Sequence, residues 1–157
     1  MQILPLTGSH DRQGFDCGRA ELNDWLQRIA RQHQHKGISK TFVAIREEEP
    51  TIICGFYALA VTELDNSQIP EAHRRKLPHR IPGIRLGRLA VDRRYQGKGL
   101  GELLLADALT RARRIQQDAG VVGLFVDAMD EQAADFYLRL GFLPSPGNPF
   151  LLFLPVK

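Results

Sequence analysis

Three glycines alternate with other residues in the stretch RRYQGKGLG, which covers residues 93–101. A β-rich run, IRLGRLAVD, leads into this stretch, and leucines at helical spacing follow it. The first N–H groups of a helix have no intrahelical partner and lie at the positive end of the helix dipole, where an anion is stabilised. Because Gly97, Gly99 and Gly101 have no side chains to keep an anion at a distance, the stretch predicts a loop that binds phosphate.

The spacing of the glycines separates three kinds of phosphate loop. A Walker loop needs GxxxxGK[ST], which the chain lacks, and a dinucleotide fingerprint needs GxGxxG, whereas these glycines follow GxGxG. Arg94, Gly97 and Gly99 fit a third pattern, [RQ]xxGx[GA] after a strand, and AADFYLRLGF fits a second signature, A..FY...GF. In both signatures and in the order of its elements the chain resembles the GNAT acyltransferase superfamily. The resemblance implies acetyl-CoA as the donor, with its pyrophosphate held by the loop amides.

Further segments narrow the resemblance. FDCGRAELNDWL, SKTFVA, GFYALA and FYLRLGFLPSP are similar to the acetyltransferase toxins of bacterial toxin–antitoxin operons. That resemblance implies a cytoplasmic enzyme that acetylates the α-amino group of aminoacyl-tRNA and so blocks translation, with a ribbon-helix-helix antitoxin as partner and a homodimer as the assembly. The alternatives are a GNAT enzyme for a protein N-terminus, a lysine or a small-molecule amine, and a non-catalytic module that binds CoA or RNA.

The resemblance also implies roles for individual residues. A bulge in RLAV leaves backbone groups of Leu89 and Val91 free, and the Val91 N–H stabilises an oxyanion. Tyr137 protonates the departing thiolate, since a phenol with an ordinary pKa of about 10 keeps its proton at neutral pH. We expect its neighbour Phe136 to face the core instead. The residues expected to contact acetyl-CoA are Leu89, Ala90, Val91, Arg93, Arg94, Gln96, Gly97, Lys98, Gly99, Leu100, Gly101, Asp130, Ala133 and Phe136.

The distribution of charge bears on the acceptor. The net charge is +3, and residues 25–46 and 73–91 contain basic residues but no acid. Such blocks favour a polyanionic partner, and separate solvated faces are the alternative. No clear general base stands out among Glu63, Asp65 and Asp92, which suits an α-amino group, because its pKa of about 7.7 to 8.0 is lower than the roughly 10.4 of a lysine. The residues expected to contact tRNA are Lys36, Arg74, Arg75, Arg80 and Arg85.

Seven β runs and three helical patterns must position these residues. The runs QILPL, TFVAIRE, TIICGFYALAV, IRLGRLAVD, VVGLFVDA, FLPS and FLLFLPV predict strands, and REEEPT predicts a hairpin turn. CGRAELNDWLQRIARQHQ predicts a helix capped by Asp16 or Gly18, and two later helices are predicted to end at Gly120 and Gly141. Residues 65–84 are predicted to form a connection with one short helix. The order predicts an α/β fold or α+β sandwich with a mixed sheet. The resemblance implies that this sheet is GNAT-like, mostly antiparallel and twisted, with helices flanking it.

Bulk composition sets the class of protein. The 157 residues, 43% hydrophobic and 25% charged, predict a single domain over residues 1–157. No apolar run is long enough to span a membrane, and the N-terminus lacks the features of a signal peptide. Cys17 and Cys54 form no CxxC pair and are expected to pack as small apolar residues, with Trp25 in the core. With no disulfide framework or CxxC pair, we expect a reduced, cytoplasmic protein, and no membrane partner is expected. His33 and His35 do not share a helix face, so no metal site is expected.

Overall fold

The computed structural model describes residues 1–156, which form seven strands and five α-helices. The strands are β1 (Gln2–Pro5), β2 (Lys40–Ile45), β3 (Gly55–Asp65), β4 (Arg80–Val91), β5 (Gly123–Asp127), β6 (Leu143–Ser145) and β7 (Asn148–Pro155). The helices are α1 (Ala20–Arg28), α2 (Ala30–His35), α3 (Glu71–Arg74), α4 (Leu100–Ala119) and α5 (Glu131–Arg139).

All seven strands belong to one sheet in the order β1-β2-β3-β4-β5-β7-β6. The pairs β1–β2, β2–β3, β5–β7 and β6–β7 are antiparallel, whereas β4–β5 is parallel. The predicted fold class, a mixed and mostly antiparallel sheet with helices, is therefore confirmed. The predicted start of β4 is wrong, because the strand begins at Arg80 and takes up residues that the sequence assigned to the preceding connection.

The residues cluster into two compact units. The first comprises Met1–Ala60 and Gly87–Ala108, and the second comprises Val61–Leu86 and Leu109–Lys157. β3, β4 and α4 each contribute residues to both units. A single domain over the whole chain stays a prediction.

The core of the first unit forms around an aromatic cluster. Trp25 of α1 stacks on Phe56 of β3 with ring centroids 6.1 Å apart, and Phe15 meets Phe56 edge-on at 5.3 Å. These rings pack with buried aliphatic residues, among them Leu26 of α1 and Val43 of β2. The prediction that Trp25 belongs to the core is confirmed, and the apolar stripe of α1 is what holds this helix in its unit.

The first predicted helix is interrupted. α1 and α2 meet at Ile29, whose φ of −115° departs from the roughly −63° of a regular helix. The predicted cap is wrong, because Arg19 occupies the N-cap position of α1 and makes no side-chain cap hydrogen bond. Asp16 instead accepts hydrogen bonds from the N–H of Gly18 at 2.9 Å and from the side chain of Asn23 at 3.0 Å. Its carboxylate therefore orders the loop before the helix.

The second unit is built on β7. This strand pairs with β5 on one side and with the shorter β6 on the other. Phe125 of β5 and Phe153 of β7 contact each other with ring centroids 4.9 Å apart, and Ile69 and Ile81 complete a buried cluster around them. Burial of these large side chains is the main stabilising contribution to this unit.

Several predicted turns and helix ends are confirmed. α4 and α5 end just before Gly120 and Gly141, and these glycines adopt φ of +76° and +101°. In the predicted hairpin turn, Arg46 and Glu49 form a β-bridge. The connection before β4 contains α3 and a short 3₁₀ turn at Asn66–Gln68.

Both cysteines are free thiols, with Cys54 buried and Cys17 half-buried. Burial raises the pKa of both thiols. They therefore pack as small apolar residues, as predicted. Among residues 1–156, no helix combines the length and the apolar character that crossing a bilayer requires.

Candidate active site

The glycine loop lies in the first unit and is open to a ligand. Gly97 and Gly99 adopt φ of +76° and +82°, in the left-handed region that favours glycine. A Cβ built on either residue would meet no atom within 4 Å. α4 begins at Leu100, and the N–H of Leu103 donates to the carbonyl of Gly99 at 3.1 Å. The N–H groups of Leu100 and Gly101 precede this first intrahelical bond, so they are positioned to bind an anion.

Gln96 ties the glycine loop to two other segments of the first unit. Its side-chain nitrogen donates to the carbonyl of Cys17 at 3.0 Å and to the carbonyl of Val91 at 2.8 Å. The expectation that the backbone groups of Val91 are free is therefore wrong for its carbonyl, which Gln96 occupies. The pattern [RQ]xxGx[GA] also fits Gln96, Gly99 and Gly101, and the two hydrogen bonds show a structural reason for glutamine at the first of these positions.

Asp92 anchors the start of the loop. The residue is 2% exposed, and its carboxylate accepts hydrogen bonds from the Arg94 guanidinium at 2.9 and 3.2 Å and from the N–H of Asp16 at 3.1 Å. Burial alone would raise the pKa of Asp92, but these hydrogen bonds and the charge of Arg94 outweigh burial and lower the pKa. Because Arg94 is bound to Asp92, Arg93 is the better placed of the two arginines to contact an anion. Its side chain is 66% exposed and its Nε lies 3.8 Å from Asp16.

β4 carries the remaining residues predicted for the donor in this unit. β4 pairs with β5 at two positions, Ile84 with Leu124 and Arg85 with Phe125. β4 then continues to Val91, beyond the last of these pairs. Leu89 and Val91 are half-buried, whereas Ala90 between them is buried. Since side chains alternate along a strand, Leu89 and Val91 share one side of β4, and that side is the more open one.

Tyr137 lies on α5 in the second unit, and its burial differs from the prediction. Tyr137 is 6% exposed and Phe136 is half-buried, so the assignment of Phe136 as the core residue of this pair is wrong. The ring of Tyr137 contacts Phe136 and Phe142 edge-on, with centroids 5.1 and 5.3 Å away. Burial raises the pKa of Tyr137 well above its ordinary value. The phenol is therefore fully protonated at neutral pH.

Asp130 and Ala133 meet at the start of α5. Asp130 is the N-cap residue, and its carboxylate accepts a hydrogen bond from the N–H of Ala133 at 2.9 Å. Such a cap typically stabilises a helix by about 1 kcal/mol. Ala133 precedes Tyr137 by four residues, so it lies one turn away on the same helix face. The cap thus fixes the first turn of the helix that carries Tyr137.

The three carboxylates considered as general bases all have partners. Glu63 pairs with Arg80 at 2.6 Å. Asp65 caps the 3₁₀ turn that follows it and lies 3.1 Å from Nε2 of His79. Asp92 is the buried anchor of the glycine loop. Because each of these carboxylates already has a partner within the protein, none of them stands out as a general base.

Two arginines of residues 73–91, a segment that contains no acidic residue, form ion pairs with carboxylates from other strands. In the second unit, Arg80 pairs with Glu63 of β3, and Arg85 pairs with Asp127 of β5. The sequence did not reveal these pairs, because Glu63 and Asp127 are 17 and 42 residues away along the chain. The candidate tRNA contacts without an ion pair among residues 1–156 are Lys36, Arg74 and Arg75.

Comparison with known proteins identifies the family of this chain. Residues 37–144 match the model of the acetyltransferase (GNAT) domain. The chain therefore belongs to the GNAT acetyltransferases, as its glycine loop and its A..FY...GF signature implied, and it is an N-acetyltransferase.

Individual relatives are acetyltransferase toxins. The chain is similar to the tRNA-acetylating toxin of Mycobacterium tuberculosis, with 36% identity over 152 residues that cover 97% of this chain and 90% of the relative. Among solved structures, AtaT complexed with acetyl-methionyl-tRNAfMet has a TM-score of 0.92 and 34% identity, over 98% of this chain and 94% of that chain. A Tyr-to-Phe mutant of AtaT bound to the C-terminus of the antitoxin AtaR and acetyl-CoA has a TM-score of 0.84 and 34% identity, over 99% and 93% of the two chains.

Proposed function

We propose that this protein is the toxin of a toxin–antitoxin pair and transfers the acetyl group of acetyl-CoA to the α-amino group of aminoacyl-tRNA, which blocks translation. The observation that carries the proposal is the open loop at Gly97 and Gly99, which leads into a helix N-terminus of a GNAT domain. The relatives support the acceptor, since one is named for the acetylation of tRNA and another was solved with acetyl-methionyl-tRNA.

The loop fits the pyrophosphate of acetyl-CoA. At Gly97 and Gly99, the position that a Cβ would occupy in any other amino acid is open space. The N–H groups of the loop and of the first turn of α4 offer several donors to one anionic group, and hydrogen bonds to an ionised acceptor are the stronger kind. Arg93 and Lys98 are exposed beside these donors and add positive charge. Bound acetyl-CoA supplies the activated acetyl group, and the protein supplies binding, orientation and a proton.

Val91 and Tyr137 have the two proposed catalytic roles, one in each unit. The N–H of Val91 donates a hydrogen bond to the carbonyl oxygen that gains negative charge during transfer. Loss of one such donor typically costs about 3 kcal/mol of transition-state stabilisation. Tyr137 holds a proton on its hydroxyl and donates it to the departing thiolate, and the proton that the attacking amine loses balances this transfer and restores the phenol. A phenol with an ordinary pKa of about 10 already carries its proton at neutral pH, and burial raises the pKa of Tyr137 further, so Tyr137 suits the role of an acid and not that of a base.

An α-amino acceptor agrees with the partners of the three carboxylates. Glu63, Asp65 and Asp92 are held by hydrogen bonds or ion pairs within the protein. An α-amino group, with a pKa of about 7.7 to 8.0, is already partly neutral at pH ~7, whereas a lysine with a pKa of about 10.4 is not. Aminoacyl-tRNA therefore demands less of this protein than a lysine acceptor does.

Basic side chains of both units are the proposed contacts to the tRNA backbone. Lys36, Arg74 and Arg75 have no ion pair within residues 1–156, so they are the main candidates. Arg80 and Arg85 should contribute less, because carboxylates already neutralise them. A homodimer that joins these basic surfaces, a ribbon-helix-helix antitoxin and action in the cytoplasm complete the proposal. The complex of AtaT with its antitoxin supports the partner.

Incubation with a full set of charged tRNAs and labelled acetyl-CoA tests the proposed function. We expect labelled acetyl-aminoacyl-tRNA from at least one amino acid. The binding constant for tRNA should fall steeply with salt, because each phosphate contact adds about 0.7 to 0.9 to the slope of log K against log salt. Failure to label any charged tRNA, with label on a protein N-terminus, a lysine or a small-molecule amine instead, would point to the alternative GNAT substrates.

A further inference from the structure

Arg88 of β4 is a half-buried cation in the first unit. Its guanidinium lies 4.8 Å from the centroid of the Trp25 ring. Trp25 itself stacks on Phe56 and meets His33 of α2 edge-on at 6.1 Å. The guanidinium carbon therefore lies over an indole ring of the aromatic core, a cation–π contact. Arginine is also the side chain best suited to bind phosphate through two donors.

No carboxylate of residues 1–156 neutralises Arg88. Among residues 1–156 it has no ion pair, and its hydrogen bond is a long one, from Nη1 to the carbonyl of the adjacent Gly87 at 3.3 Å. Arg80 and Arg85, on the same strand, are paired with Glu63 and Asp127.

The hydrogen-bonding capacity of Arg88 is largely unused. A guanidinium has five N–H donors, and within residues 1–156 only one of them has an acceptor. Burial lowers the pKa of Arg88, and no acid in the described part of the chain raises it again. A half-buried charge without a partner is unfavourable for folding, so an anion that arrives with a ligand is the natural partner for it.

The position of Arg88 indicates which anion this is. The residue precedes Val91 by three positions on the same strand, a separation of roughly 10 Å along the backbone. His33, which contacts the same tryptophan, precedes Lys36 by three residues, so both extend from neighbouring parts of one helix end. The glycine loop has its own N–H donors for the donor pyrophosphate. Arg88 lies against Trp25 of α1, and Trp25 contacts His33 near the helix end that carries Lys36, a proposed tRNA contact. On this placement the anion at Arg88 should belong to the acceptor.

We infer that Arg88, supported by Trp25, binds a phosphate at the 3′ acceptor end of the tRNA substrate, close to the amino acid that is acetylated. This inference rests on the proposed function, and it adds a specific contact near the site of transfer to the general attraction of the basic surface. Arg88 is a substrate-binding residue in this assignment and takes no part in proton transfer.

Arg88→Gln tests the inference, with Arg114→Gln as the matched control. Arg114 is an exposed arginine on α4, fourteen residues or roughly 21 Å of helix beyond Leu100, and its substitution removes the same charge. We would measure the Kd for uncharged tRNA by fluorescence anisotropy over a range of salt concentrations, the Kd for acetyl-CoA by calorimetry, and kcat/KM with aminoacyl-tRNA.

Arg88→Gln should weaken tRNA binding about tenfold or more and reduce the salt slope by about 0.7 to 0.9. Arg114→Gln should change the Kd for tRNA less than about twofold, and neither variant should change the Kd for acetyl-CoA. Arg88→Lys keeps the charge and is the second variant if glutamine prevents folding. It should still weaken tRNA binding, since an ammonium neither stacks as a plane nor binds phosphate through two donors.

The possible failures are distinguishable. If the wild-type protein acetylates no charged tRNA, the proposed function is wrong and Arg88 loses its assignment with it. If the wild type acetylates charged tRNA but Arg88→Gln or folded Arg88→Lys binds tRNA as the wild type does, only the inference about Arg88 is overturned. Weaker binding of acetyl-CoA with unchanged binding of tRNA would also overturn it, because Arg88 would then serve the donor.

Discussion

Gly97→Ala, compared with Gly120→Ala, separates the binding role of the glycine loop from its backbone geometry. Both glycines have φ of +76°, and a Cβ at either would meet no atom within 4 Å. Gly120 ends α4, where its N–H donates to the carbonyl of Gln116 at 3.1 Å, and it has no proposed ligand. An alanine in the left-handed region costs roughly 1 to 2 kcal/mol. Both variants should therefore lose similar stability, a fall in Tm of about 2 to 8 °C for a chain of this size.

Only Gly97→Ala should affect the binding of acetyl-CoA. Its methyl group would occupy the open space over the loop and keep the pyrophosphate from at least one backbone N–H. A hydrogen bond to a charged group contributes about 1.5 to 3 kcal/mol, which corresponds to a Kd that is roughly 10 to 100 times higher. At a concentration 100 times the wild-type Kd, acetyl-CoA should stabilise the wild type by about 2.7 kcal/mol and Gly97→Ala by about 0.4 to 1.4 kcal/mol.

Calorimetric titration with acetyl-CoA and thermal unfolding with and without it provide the two measurements. Gly120→Ala should unfold at a lower temperature but gain the same stabilisation from acetyl-CoA as the wild type. If both variants bind acetyl-CoA equally well, the open space over Gly97 is not the pyrophosphate site. If both variants bind it equally poorly, reduced stability and not the loop explains the loss. Either result would refute the reasoning from the geometry of the loop.

Three further predictions concern two variants, Tyr137→Phe and Asp92→Asn. Tyr137→Phe should lower kcat by about 10²- to 10⁴-fold with little change in the Kd for acetyl-CoA, and a kcat within about threefold of the wild type would contradict the role of Tyr137 as an acid. The folded pKa of Tyr137 is raised, so its contribution to stability is complete below pH ~10 and is lost above it at about 1.4 kcal/mol per pH unit. Urea unfolding between pH ~9 and ~11 should thus be less pH-dependent in Tyr137→Phe than in the wild type, and parallel curves would contradict the burial effect. The pKa of Asp92 is lowered instead, so its contribution is present above pH ~4 and is lost as the pH falls through the folded pKa. Asp92→Asn should therefore destabilise the protein at neutral pH and much less in acid, and a difference from the wild type that stays constant with pH would rule out this linkage.

The local patterns of the sequence were reliable guides to elements and to the loop. Alternating and 3.6-residue periodicities predicted the seven strands and the main helices, because the apolar residues of an element lie on its buried side and so repeat with its period. Gly120 and Gly141 correctly marked helix ends, because a helix commonly ends with a residue in the left-handed region, which glycine adopts most easily. The first helix was predicted too long, because nothing in the periodicity of residues 17–34 reveals the break at Ile29.

Predictions about single side chains were less reliable, because they depend on neighbours that are distant in the chain. Phe136 and Tyr137 are adjacent aromatic residues, and which of them is buried depends on contacts such as that of Tyr137 with Phe142. Gln96 was expected to contact the donor through its backbone N–H, and the sequence did not reveal that its side chain binds the carbonyl of Cys17, 79 residues away. Arg88 was one residue in a basic segment until the fold placed it against Trp25.

The sequence by itself determined the class of fold, the position of the glycine loop and the family, since glycine spacing and hydrophobic periodicity are properties of short segments. Tertiary structure alone decided which charges are free. Arg80 and Arg85 are as basic as Arg88 in the sequence, but each meets a distant carboxylate in the fold, while Arg88 meets an aromatic ring. The energy of a charge depends on its burial and on its partners within a few ångströms, and both are set only when distant segments pack together.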